Sequence, residues 1–280
     1  MVHLPIGLQL FSVRDDMAAD FEGTLKKLKE MGYDAVEFAG LYGNSPAKVK
    51  QLCEQIGLVP VSAHVSLDEL IADPEGVLAA YREIGCEQIV IPYLTEEYRP
   101  GAEGFGRLIQ WAQKLGRLCA QLGMKLAYHN HDFEFVKIGE DYALDILYQQ
   151  VSPEHLQTQL DTCWVFVGGE DPIKYVKKYA GREHTVHLKD FWASQEIIKG
   201  HKCEKLYQLI GIDEGKQVQA EEGQQFCFRP LGYGVQNIPG IVEAAQQSGA
   251  RWISVEQDEP SMGKTPLQCA KMSIDYLKTL

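Results

Sequence analysis

The chain is short of long apolar runs: none of its stretches approaches the ~20 residues a membrane-spanning helix needs, which excludes a role within the bilayer. Its opening, MVHLPIGLQLFSVRDD, has no basic n-region and meets charge at Arg14, so it does not read as a signal peptide and a cytoplasmic location is expected. No C-x-x-C pair occurs. The seven cysteines (53, 86, 119, 163, 203, 227 and 269) are an odd number spread over 280 residues, which fits neither a disulfide framework nor a zinc finger. Cys53 and Cys119 fall in apolar helical stripes and are expected in the core. Positive charge is scarce as well: 27 Lys and Arg face 39 Asp and Glu, for a net charge of −12. Such a surface repels phosphate backbones, so nucleic acid is not an expected partner. The small basic clusters at Lys26, Lys27 and Lys29 and at Lys177 and Lys178 read as solvated helix faces.

What is present is an ordinary globular composition, 45% hydrophobic and 24% charged, carrying one recurring unit. A small polar residue or proline opens an amphipathic helix, a glycine closes it, and a short apolar strand follows. Ser45 and Pro46 open a stripe of Val49, Leu52, Cys53 and Ile56 that Gly57 ends. Asp73 and Pro74 open Val77, Tyr81 and Ile84 before Gly85. Phe105, Leu108, Ile109, Ala112, Leu115, Cys119 and Leu122 recur at spacings of three and four before Gly123. Asp171 with Pro172, and Thr265 with Pro266, open later helices. Strands are expected at 6–11, 34–38, 59–64, 88–92, 125–131, 158–161, 185–189 and 252–256.

Eight strands alternating with helices predict a parallel sheet, and in one domain spanning 1–280 that is a single-domain (β/α)8 TIM barrel of the α/β class. A doubly wound open sheet is the competing architecture, but no G-x-G-x-x-G follows the first strand. Successive strand ends lie 26 to 37 residues apart, except for 69 residues between positions 187 and 256. The excess, about 192–230, is a polar insertion after strand 7, expected to leave the C-terminal face as a lid.

In such a barrel the polar residues that end strands converge at the C-terminal face. Here they are Gln9 and Ser12, Glu37, His64, His129 and His131, Asp161, His187 and Lys189, and Glu256. Residues two apart on a strand face one way, so His129 pairs with His131 and His187 with Lys189. Single polar strand ends are commonly hydrogen-bonded caps. Imidazoles and carboxylates gathered on neighbouring strands would instead repel or sit unsatisfied without a cation. They predict one divalent metal ion in a mixed nitrogen and oxygen site, with Mn²⁺ the first choice and Zn²⁺, Co²⁺ or Mg²⁺ also suited.

The strand ends resemble those of the xylose-isomerase-like barrel superfamily of sugar phosphate isomerases and epimerases. It also includes hydroxypyruvate isomerases, inosose dehydratases and apurinic endonucleases. The matching segments are Gly7-Leu-Gln-Leu-Phe-Ser-Val-Arg14, Val36-Glu-Phe38, Ser62-Ala-His64, Tyr128-His-Asn-His-Asp-Phe-Glu-Phe135, Leu160-Asp-Thr-Cys-Trp164, Val186-His-Leu-Lys-Asp190, Pro230-Leu-Gly-Tyr-Gly234 and Val255-Glu-Gln-Asp258. The resemblance implies one metal held from strands 5 to 8, by His129, Asp161, His187 and Glu256. His129 stands where the epimerases carry a glutamate, as in the inosose dehydratase branch, and Glu134 ranks below it as a ligand. The resemblance further implies substrate contacts at Gln9, Glu37, His64 and Trp164.

The chemistry that follows is proton abstraction next to a carbonyl of a sugar or keto-sugar, through an enediolate. Glu256 or a strand-5 histidine, His131 above all, would take the proton, and Lys189 or His64 would act as acid or steady the oxyanion. Return of the proton to carbon makes the protein a metal-dependent sugar isomerase or epimerase, the reading placed first. Departure of a β-hydroxyl or glycoside makes it a dehydratase or lyase, and a non-catalytic sugar-binding barrel is the further alternative. Of the arginines, Arg14 and Arg229 are the candidates for a substrate phosphate, while the net charge favours a neutral sugar. The reading is compatible with a homo-oligomer.

Overall fold

The computed structural model of the chain describes residues 4–193 and 226–280. Eight strands run parallel: β1 (Ile6–Gln9), β2 (Ala35–Ala39), β3 (Val59–His64), β4 (Gln88–Ile91), β5 (Lys125–His129), β6 (Gln157–Gln159), β7 (Thr185–Leu188) and β8 (Trp252–Val255). Around the sheet their order is β6-β5-β4-β3-β2-β1-β8-β7. The barrel closes between β6 and β7 through isolated bridges, Thr158 with Glu183 and Asp161 with His187. At that seam the His187 N–H donates to the Leu160 carbonyl at 2.9 Å.

Side-chain alternation divides the strands' residues between two environments. Leu8, Val36, Phe38, Ile89, Leu126, Val186, Leu188, Ile253 and Val255 join one apolar cluster with the helix stripes, including Val49, Cys53, Leu108 and Cys119. The intervening Gln9, Glu37, Ser62, Gln88 and His187 are buried polar groups. The helix ends follow the local rules that the sequence announces. Ser45 and Asp73 accept from the third residue beyond, Thr265 forms a capping box with Gln268, and Gly57 and Gly85 end their helices with φ of 77° and 106°.

Several strands stop sooner than the apolar pattern suggests. β1 ends at Gln9 because its own Oε1 accepts the Phe11 N–H and starts a 3-10 turn over Leu10–Val13. β5 ends at His129, so His131 lies beyond the strand in the turn that follows. β6 ends at Gln159 because Asp161 caps the helix Thr162–Val167. Of the expected insertion at 192–230, the described ends form an antiparallel ribbon of Asp190–Ala193 with Phe226–Arg229. Residues 194–225 lie outside the described residues, and the expected lid and Cys203 lie there with them.

Close packing of helix Gly104–Gln121 gives a direct test. A Cβ on Gly116 would meet the His155 carbonyl oxygen at 2.0 Å, whereas one on exposed Gly106 would meet nothing within 4 Å. Gly116→Ala is expected to cost about 2 kcal/mol, a fall in Tm of roughly 4–8 °C. Gly106→Ala is expected to raise Tm slightly, by about 1–2 °C, as helical alanine replaces glycine. Thermal denaturation of the two variants checks both signs.

Candidate metal centre

Four side chains from the C-terminal ends of neighbouring strands, His129, Asp161, His187 and Glu256, each bring one ligand atom within 4.8 Å of the others'. Each is held from behind. Asp161 Oδ1 accepts the N–H groups of Cys163 (2.8 Å) and Trp164 (3.0 Å), which turns Oδ2 inward. That buried Oδ2 accepts no hydrogen bond; His129 Nε2 stands 3.5 Å away and Lys189 Nζ 3.0 Å. His129 Nδ1 lies 3.2 Å from Gln159 Oε1, leaving Nε2 toward Asp161 and, at 3.9 Å, Glu256 Oε2. His187 Nδ1 meets Glu256 Oε2 at 2.9 Å, while Nε2 contacts Glu37 Oε1 at 2.6 Å.

These are donor types and supports that suit a divalent cation. Two imidazole nitrogens and two carboxylate oxygens form a mixed set of the kind Zn²⁺ or Mn²⁺ accepts. The other nitrogen of each imidazole is anchored, on Gln159 or Glu37, as oriented metal-binding histidines require. The buried Asp161 Oδ2 accepts no hydrogen bond and, among the described residues, has only the Lys189 ammonium, 3.0 Å away, as a positive partner.

The electrostatics point the same way. Burial and the nearby His187 charge hold His129 well below the ordinary imidazole range, so it is a neutral donor. Burial opposes the charge of His187 too, but Glu37 and Glu256 outweigh it and push its pKa up to about 10. Burial likewise works against Lys189, yet Asp161, Asp258 and Glu256 hold it well above its usual value. Glu256 is kept ionised against burial by Lys189 and His187. Burial raises Asp161, and it lifts Asp258 to about 7.

The remaining expected site residues fall into two groups. Gln9 and Glu37 are fully buried, with Gln9 Nε2 donating to Glu37 at 2.9 Å. Glu37 also accepts from Gln159 and Ser62 and faces His64 Nε2 at 3.2 Å, so this group forms the floor beneath the four residues. The His64 ring stacks on His187 with centroids 5.3 Å apart. Beside the four residues stand His131, Trp164 and Lys189, all buried. The His131 ring lies 5.3 Å from His129 and 5.5 Å from Trp164, with Phe133 stacked on it and Tyr93 edge-on. Trp164 packs against Phe226 and Phe228 of the ribbon. Ser12 accepts from the Gln257 N–H, outside the centre. Arg14 binds the Asp258 carbonyl and the Glu259 carboxylate, so it ties two rim loops together instead of presenting a phosphate receptor.

Two participants escape the sequence reading. Gln159 touches His64, His129 and Glu37, and its signal was its place two residues before Asp161 on one strand face. Asp258 meets Lys189 Nζ at 3.0 Å, two residues beyond Glu256. Glu134 turns away from the centre: one oxygen accepts from the Tyr128 hydroxyl and the other from the His131 N–H at 2.8 Å.

Comparison with known proteins agrees with this fold. The family described as xylose isomerase-like TIM barrel matches residues 25–280. An inosose dehydratase of Clostridium botulinum (strain Alaska E43 / Type E3) is 26% identical over 278 residues, covering 92% of this chain and 89% of that protein. A sugar phosphate isomerase/epimerase from Parabacteroides distasonis superposes with a TM-score of 0.75 at 19% identity, over 99% of this chain and 94% of its own. The IOLI protein, solved with a bound zinc atom, gives a TM-score of 0.70 at 14% identity, over 99% and 97%. These two structures are similar in fold.

Burial raises Glu134 from the ordinary 4.5 to about 8, against the hydrogen bonds of Tyr128 and His131. The folded chain therefore holds a proton that the unfolded chain has released, and this site's contribution to stability falls as pH climbs from about 4.5 to about 8. Glu134→Gln keeps the shape and removes the titration. Denaturant unfolding at pH 5 and pH 8 is expected to show the wild type losing roughly 1–3 kcal/mol more than the variant over that interval.

Proposed function

The chain belongs to the xylose isomerase-like TIM barrel family, and on that premise we propose that it is a divalent-metal-dependent dehydratase of a polyhydroxylated cyclic or open-chain ketone. The observation that carries this reading is the convergence of His129, Asp161, His187 and Glu256 within 4.8 Å. Those four would hold the ion. When bound, a divalent ion supplies Lewis-acid polarisation of a carbonyl and its neighbouring hydroxyl.

The chain's own residues supply the rest. His131 receives the proton from the carbon next to the carbonyl, since burial, with Lys189 nearby, keeps it a neutral imidazole and its ring lies beside His129 and Trp164. Lys189, the ammonium over which Trp164 and Phe228 lie, delivers a proton to the departing β-hydroxyl. Glu256 Oε2 is committed to His187 and Lys189 and is held strongly acidic, which makes it a better ligand than base. Trp164 and His64 flank the substrate. Inversion at carbon would need a second base on the far face, and Glu134, a carboxylate in the turn beyond β5, is directed toward Tyr128 and the His131 backbone. Elimination needs only one base and one acid, and this favours dehydration over epimerisation. The inosose dehydratase relative supports the same choice.

Among the described residues no helix is long and apolar enough to cross a membrane. Six described cysteines are free and buried, and we place the reaction in the reducing cytoplasm on that ground.

The test is carbon-bound hydrogen exchange in D₂O with inososes and 3-keto-sugars, followed for both deuterium uptake and loss of water. Exchange accompanied by an enone product is expected; exchange with an isomeric ketone and no dehydration would return the isomerase reading, and no exchange with any ketone would remove the enzyme reading. His129→Ala is expected to lose the metal, whereas His131→Ala keeps it and loses turnover by about 10²–10⁴-fold, the range of a missing general base.

A further inference from the structure

Lys189 is 1% exposed and meets three carboxylates: Asp161 Oδ2 at 3.0 Å, Glu256 Oε2 at 3.2 Å and Asp258 Oδ2 at 3.0 Å. The first two are the oxygens that face His129 Nε2 and belong to residues of the four-membered ligand set. Asp258 is outside that set. An ammonium and a divalent ion cannot both draw on the same two buried oxygens, because like charges a few ångströms apart repel strongly where water is excluded.

Lys189 also has little freedom to leave. The rings of Trp164 and Phe228 lie 5.4 Å and 5.6 Å from Nζ on the apolar side, and Gln236 Nε2 donates to the Lys189 carbonyl at 2.9 Å, fixing its backbone. Of its three carboxylate partners, only Asp258 would still be available to it once an ion takes Asp161 and Glu256. The Asp258 carbonyl is itself anchored by Arg14 at 2.6 Å, so this partner is held in place from the loop after the neighbouring β1.

We propose that Lys189 is an internal counter-cation that competes with a divalent ion for Asp161 and Glu256, and that Asp258 is the positioning residue that receives Lys189 when the ion binds. This rests on the metal reading of the centre but not on the reaction assigned to it. Two consequences follow. The protein is expected to fold without the ion, because its carboxylates already have a cation. Its metal affinity is held down by the work of moving Lys189, and that work is kept small by Asp258.

Calorimetric titration with Mn²⁺, without substrate, tests this in the whole chain. Lys189→Met is expected to bind Mn²⁺ at least tenfold more tightly than wild type, and to melt at a lower temperature than wild type before Mn²⁺ is added. Asp258→Asn is expected to bind about tenfold more weakly. In the Lys189→Met background the Asp258→Asn effect is expected to shrink below twofold, since the lysine it serves is gone. A direct attraction of Asp258 for the ion would instead persist there, and that result would overturn the positioning role. Equal or weaker binding by Lys189→Met would overturn the competition. Lys189→Gln, which keeps a polar group without the charge, repeats the test if Lys189→Met does not fold unloaded. Wild type that binds no Mn²⁺ would sink the metal reading and this proposal together, whereas a different reaction product would leave both standing.

Discussion

Four carboxylates at one end of a barrel, three buried and Asp258 partly so, are the constraint on which the site depends. Glu37, Asp161, Glu256 and Asp258 crowd around two cationic groups, His187 and Lys189. A buried carboxylate is tolerated only when it is paired or hydrogen-bonded. Each answers that demand differently: Glu37 through Gln9, Ser62 and Gln159, Asp161 through the helix it caps, Glu256 through His187, and Asp258 through Lys189. The negative charge left over gives a divalent cation a reason to be there. It also explains why the neutral His129 and the carboxylates sit together without mutual destruction of the fold.

The same constraint links the fold to the chemistry. The seam that closes the barrel is the Asp161–His187 bridge, so two of the four converging residues owe their approach to ring closure. Asp161 serves both the helix Thr162–Val167 and the centre with different oxygens. The ribbon adds Phe228 to the apolar side of Lys189, which lowers the local dielectric and strengthens every charge interaction inside. In the proposed reading position 129 favours dehydration, because an imidazole there brings no second carboxylate base.

Most of the barrel was legible in the sequence because its signals are local. Asp73 with Pro74, Ser45 with Pro46 and Thr265 with Gln268 cap helices by contacts within three residues, and such contacts survive in any tertiary context. The converging residues His129, Asp161, His187 and Glu256 were legible because polar groups that end barrel strands share one rim. What was not legible depends on direction beyond a strand end. Glu134 lies five residues past His129, and only the turn shows that it faces Tyr128. Gln159 reads as an ordinary strand amide until His64, His129 and Glu37 are seen around it. The contact between Glu37 in β2 and His187 likewise has no signal in the sequence.

The central claim is that these residues hold one divalent ion, and Asp161→Asn tests it most cleanly. Asparagine keeps the oxygen that caps the helix and replaces only the inward Oδ2 by an amide nitrogen, so the fold is retained while the ligand is lost. Equilibrium dialysis against Mn²⁺ followed by metal analysis is expected to find about one ion per chain in the wild type and almost none in Asp161→Asn. Full occupancy in Asp161→Asn, with the circular dichroism of the two proteins unchanged, would contradict the account.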